Sequence, residues 1–154
     1  MNDLASQVIA VLRGKTLATA ESCTGGGIGD ALTSVAGSSA VYKGGIISYT
    51  NQIKVRLLNV PEQVLREKGA VSKETAEAMA SGARAVIMSD IAVSVTGLAG
   101  PGGDDFGNPV GTVFIGYCDS HTCCSRKYHF SGDREAVRKQ SIREALSLIL
   151  EHNR

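Results

Sequence analysis

The sequence predicts an α/β protein, a three-layer α/β/α sandwich on a mixed, mostly parallel sheet of about five strands. Three observations carry this expectation. Strand-like and helix-like segments alternate through the first two thirds of the chain, the pattern of crossover units with parallel strands. The segment Ile91–Gly97 is apolar and rich in β-branched residues, as suits a strand covered on both faces. The last third instead holds two strand-like segments with a short connection and then a long amphipathic stretch, which adds antiparallel pairing and a closing helix.

Taken in order, Asp3 is placed to cap a first helix whose apolar stripe is Leu4, Val8, Val11 and Leu12. Residues 16–21 read as a buried strand and residues 25–35 as a helix whose first turn is glycine. The run 37–45 punctuates the chain, with Gly44 and Gly45 expected just before a second strand at 46–50. Residues 51–60 read as a brief helical turn that stops before Pro61. Pro61 opens the next helix and Gly69 closes it. Ser72 caps a helix over 73–88, with Glu74 and Glu77 early and Arg84 late, as the helix dipole prefers. After the strand 91–97 comes a glycine- and proline-rich loop, 98–109. Strands follow at 110–119 and 123–131 around a tight turn at Ser120-His121. Asp133 caps a last helix, 134–150, that turns Val137, Ile142, Ala145, Leu146 and Ile149 inward.

The chain has 154 residues, 43% of them hydrophobic and 20% charged, which fits one ordinary domain. A net charge of +1 offers no field to attract nucleic acid or an anionic membrane. Aromatic residues are scarce and Trp is absent, which argues against a base-stacking surface. No run is apolar and long enough to span a bilayer, and residues 1–15 lack the pattern of a secretory signal. Cys23, Cys118, Cys123 and Cys124 form no C-x-x-C pair and have no His at zinc-ligand spacing. Cys123 and Cys124 should point to opposite faces of a strand and suit burial. These features predict a reduced, cytoplasmic protein without a metal.

Ligands of open α/β sheets bind outside the carboxyl ends of the strands. Two glycine-containing loops, 22–27 and 96–103, are expected to meet there. The first offers two nucleophiles, Ser22 and Cys23, beside N–H groups of Thr24, Gly25 and Gly26 suited to an oxyanion or a phosphate. Neither loop is a P-loop, and no G-x-G-x-x-G occurs. His121, His129 and His152 fall outside these loops, so an imidazole base is not expected. A lysine can serve when burial makes it neutral, and Lys54 is the best placed, although its spacing alone reads as a solvated helix lysine. Arg134 and Arg138, four apart on one helix face, suit either a phosphate or a surface charge pair. Glu21 would be costly if buried alone and should accept hydrogen bonds from a loop or a cation.

Six ordered blocks, at 19–26, 37–60, 69–85, 92–103, 108–117 and 130–146, resemble those of the CinA C-terminal domain family over nearly the whole chain. That family includes stand-alone nicotinamide-nucleotide amidases. The resemblance implies a single amidase domain over 1–154 that hydrolyses nicotinamide mononucleotide to nicotinate mononucleotide and ammonia, in pyridine nucleotide salvage, with no cofactor. It implies a Ser–Lys pair with a nearby Tyr, falling on Ser22, Lys54 and Tyr49, and it selects Ser22 over Cys23. It also implies substrate contacts at Thr96 and Gly97 and at Arg134 and Arg138. A homodimer is what the family suggests, with no nucleic-acid or membrane partner. The alternative is a non-catalytic nucleotide-binding module of the same family.

Overall fold

The computed structural model describes residues 2–154. Five strands form one sheet in the order β2-β1-β3-β4-β5, where β1 is Leu17–Glu21, β2 Tyr42–Ile47, β3 Ile91–Gly97, β4 Thr112–Cys118 and β5 Cys123–His129. β1 pairs in parallel with β2 and β3, and β3-β4-β5 continue antiparallel. Six helices cover the sheet: α1 Asn2–Val11, α2 Gly27–Thr33, α3 Asn51–Leu58, α4 Glu62–Lys68, α5 Lys73–Ile87 and α6 Arg134–Asn153. The α/β fold and mixed sheet match the expectation.

The two sheet faces follow from alternation along β1, because successive side chains point to opposite sides. Leu17 joins a core with Val8 and Leu12 near the N-terminus, Ile28 and Leu32 of α2, and Leu146 and Ile149 of α6. Ala18 and Ala20 join the other core, with Leu58 of α3, Leu65 of α4 and Met79 and Ala83 of α5. On this face α5 packs closely on both the sheet and α3: a Cβ at Gly116 of β4 would collide with the Ala76 carbonyl, and one at Gly82 with the backbone of Leu58.

Ser72 and Asp133 cap α5 and α6 as expected, accepting from the Thr75 and Ala136 N–H groups at 3.2 and 2.9 Å. Several boundaries differ. Asp3 lies inside the first turn of α1 rather than capping it, and accepts a hydrogen bond from Gln7. Gly25 and Gly26 precede α2, with φ of 58° and 104°, conformations that glycine adopts freely. Gly44 and Gly45 lie within β2, not before it; a Cβ at Gly45 would strike the Thr19 hydroxyl, which is bonded to that of Tyr42. The brief turn after β2 is a helix of 8 residues, and α6 runs to Asn153. The β4–β5 connection spans 119–122, with the Asp119 carboxylate accepting from the N–H groups of His121 and Thr122. That register sets Cys118 opposite Cys123, and the two are joined as a disulfide, which corrects the expectation of four reduced cysteines. Cys123 is also exposed rather than buried. Among the described residues no helix is long and apolar enough to cross a membrane.

Candidate active site

Because β1, β2 and β3 are parallel, the segments that follow them emerge at one edge of the sheet. There they enclose a crevice of about 310 Å³ whose walls include Ser22, Tyr49, Lys54, Gly97, Gly100 and Arg134. The two glycine-containing loops do meet, and none of the histidines lines the crevice.

Ser22 and Cys23 separate by the alternation begun in β1. Ser22 follows Ala18 and Ala20 toward the α3 side, while Cys23 joins Leu17 and Val95 in the opposite core and also contributes to the crevice wall. Burial pushes the Cys23 thiol up to about 11, so it stays protonated at neutral pH. Ser22 meets Lys54 instead. Thr50 caps α3, its side chain accepting from the Ile53 N–H, and this sets the helix so that Lys54 and Leu58 face the sheet. The Lys54 Nζ donates to Ser22 Oγ at 3.0 Å and to the Ser48 carbonyl at 2.8 Å, with the Tyr49 carbonyl at 3.5 Å. Lys54 is only 1% exposed and pairs with no carboxylate among the described residues. Burial therefore lowers its ammonium from 10.5 to about 8.

The neutral amine has two N–H bonds and one lone pair. The Ser48 and Tyr49 carbonyls can take the two N–H groups, which leaves the lone pair for the Ser22 hydroxyl. That is the geometry of a serine with a lysine base.

The side chain of Glu21 lies on the other face and is fully engaged. It accepts from Thr24 Oγ1 at 2.7 Å, from the Ile28 N–H at 2.8 Å and from the Gly29 N–H at 3.0 Å. Glu21 thus occupies the start of α2 as an internal anion, and Thr24 is one of its donors. The Gly25 and Gly27 N–H groups turn back to the carbonyls of Ser22 and Thr24. Cys23 and Thr24, next to Ser22, keep N–H groups that donate to no backbone or side-chain oxygen among the described residues.

The remaining candidates fall into two groups. Gly97 lines the crevice, whereas the Thr96 hydroxyl donates to the Ala70 carbonyl at 2.7 Å. Arg134 is in the crevice wall and bridges its sides, donating to the Gly100 carbonyl at 2.7 Å and to the Tyr49 hydroxyl at 2.9 Å. The Tyr49 hydroxyl is therefore turned to Arg134, not to the Lys54–Ser22 contact. Arg138 pins the loop after Ser22 by donating to the Cys23 and Thr24 carbonyls at 3.0 and 3.2 Å. Gly25, Gly26, Thr24 and Arg138 shape that loop without lining the crevice. Sequence reasoning missed Asn51, Ala70 and Val71, which do line it. Asn51 directly after a capping Thr was a usable signal; Ala70 and Val71 carry none, since only the packing of the α4–α5 connection brings them there.

Comparison with known proteins agrees over the whole chain. The model of the CinA C-terminal domain matches residues 1–152. A CinA-like protein of Geobacter sulfurreducens is 51% identical over 137 residues, covering 89% of this chain and 33% of that protein. The chain therefore spans about a third of the length of the curated relatives it matches. Among solved structures, the competence/damage inducible protein CihA from Agrobacterium tumefaciens is 38% identical, with a TM-score of 0.95 over 99% of this chain and 95% of that one. The competence damage-inducible protein A of Klebsiella pneumoniae is 35% identical, with a TM-score of 0.94 over 97% and 94% of the two chains. With the family model, these relatives and the fold in agreement, the chain belongs to the CinA C-terminal domain family.

Proposed function

We propose that this chain is a nicotinamide-nucleotide amidase, hydrolysing nicotinamide mononucleotide to nicotinate mononucleotide and ammonia. The observation that carries the reading is the 3.0 Å contact between Ser22 Oγ and a buried lysine whose ammonium is lowered to about 8.

In this mechanism neutral Lys54 takes the proton of Ser22 as Oγ attacks the carboxamide carbon. The carbonyl oxygen becomes an oxyanion, and the uncommitted N–H groups of Cys23 and Thr24 are the nearest backbone donors along the chain. Lys54 then delivers the proton to the amide nitrogen, the C–N bond breaks and ammonia leaves. A water molecule gives its proton to Lys54 and attacks the resulting ester, and the proton returns to Ser22 as the acid is released. Tyr49 and Arg134, joined at 2.9 Å, form part of the crevice wall beside the reacting group. The cavity of about 310 Å³ is near the floor of the roughly 300–1,000 Å³ range of small-molecule sites.

Ammonia release from nicotinamide mononucleotide tests the proposal. Wild-type turnover that is lost in Ser22→Ala and in Lys54→Ala supports it. Binding without turnover by the wild type would instead favour the non-catalytic nucleotide-binding module.

A further inference from the structure

A second cavity, of about 630 Å³, lies between α3 and α4 and shares Asn51 with the crevice. Val55 and Leu65 contribute apolar surface, and Gln52, Arg56 and Arg66 add an amide and two guanidinium groups. Glu62 is its one carboxylate, at the first residue of α4. Neither arginine has an ion-pair partner or donates a side-chain hydrogen bond among the described residues.

That freedom sets them apart from the other groups that attract anions near Ser22. Glu21 already fills the start of α2. Arg138 already donates to two backbone carbonyls, and Arg134 to the Gly100 carbonyl and the Tyr49 hydroxyl. A long helical side chain leans toward the helix N-terminus, which for Arg56 is the end bearing Asn51 and the crevice. The crevice and the α3–α4 cavity share Asn51 as a wall, and a crevice that holds Ser22 beside a cavity that holds two unpartnered arginines suits a ligand with its reacting group at one end and its charge at the other.

We infer that the α3–α4 cavity is the anion subsite of this enzyme, where Arg56 and Arg66 hold the phosphate of a nucleotide whose carboxamide lies at Ser22. The inference rests on the amidase reading for the identity of the reacting group. Guanidinium groups hold phosphate through paired, charge-assisted hydrogen bonds, so removing both should be felt chiefly by substrates that carry it.

The experiment compares the wild type, Arg56→Gln/Arg66→Gln and Arg134→Gln. Ammonia release is measured with nicotinamide mononucleotide and with nicotinamide riboside, and binding of nicotinate mononucleotide by titration calorimetry. In the double variant, the preference for nucleotide over riboside in kcat/KM should fall by about 30-fold or more, mainly through KM, with a matching loss of nucleotide binding. An unchanged preference, an equal loss for both substrates, or a preference lost only in Arg134→Gln overturns the inference, as does a wild type that binds no nucleotide. Binding that depends on Arg56 and Arg66 without any ammonia release sinks the amidase reading and leaves the subsite standing. Ammonia release with an unaffected double variant does the reverse.

Discussion

Glu21 and Lys54 are both almost fully buried, at 2% and 1% exposure, and flank the same strand end from opposite faces. Their surroundings differ. Glu21 faces three donors, one hydroxyl and two N–H groups at a helix start, and its charge is compensated where it stands. Lys54 faces only neutral oxygens, and burial lowers its ammonium to about 8. A buried ion with a full set of partners builds structure, whereas one left without a counterion is free to exchange a proton. A similar division separates Ser22, which bonds to the lysine, from Cys23, which borders the crevice but belongs to the core of Leu17, Val95 and Ile28 and keeps its proton.

Substitutions on the two faces should break this comparison in different ways. Ser22→Ala removes the proposed nucleophile and is expected to lower kcat by about 10⁴-fold or more, with little change in the unfolding midpoint. Lys54→Met should lower kcat by about 10³-fold and at the same time stabilise the fold by roughly 1–3 kcal/mol at pH 7. The sign follows from linkage. Between pH 8 and 10.5 the unfolded lysine holds a proton that the folded one has lost, so wild-type stability rises across that window. The advantage of Lys54→Met in urea denaturation should therefore shrink as pH rises from 8 toward 10.5. Glu21→Ala leaves three donors unpaired; a loss of about 3 kcal/mol, or roughly 6–12 °C in the melting temperature, is expected by calorimetry. Cys23→Ala should be the mildest, with kcat within about 3-fold of wild type and a stability loss of about 1–2 kcal/mol. A Cys23→Ala protein that folds but releases no ammonia would transfer the nucleophile's role to the thiol.

Local chemistry made much of the fold readable. Ile91–Gly97 could only be a buried strand, and Ser72 and Asp133 announced their helices because capping is a contact between residues three apart. β2 was placed too late because Gly44-Gly45 imitates a break, and its real reason lies across the sheet at Thr19 and Tyr42. The disulfide needed the β4–β5 register, which a four-residue connection fixes and cysteine spacing alone does not. In the site, Ser22 and Lys54 were named by family resemblance and brought together by the parallel pairing of β1 and β2. The duties of Arg138 and Thr96 were out of reach, since each is bonded to a backbone carbonyl far away in sequence. Nothing in the sequence marks Arg56 and Arg66, which only the placing of α3 beside α4 sets around one cavity.

The pH dependence of kcat/KM for ammonia release from nicotinamide mononucleotide tests the central claim most directly, because it reports the ionisation of the free enzyme's base. In the proposed mechanism only neutral Lys54 accepts the serine proton, so the rate should climb about tenfold per pH unit below about pH 7.5 and level off around a midpoint near 8. A profile flat from about pH 6 to 9, or one still climbing at about pH 10, would contradict a buried lysine base at Ser22.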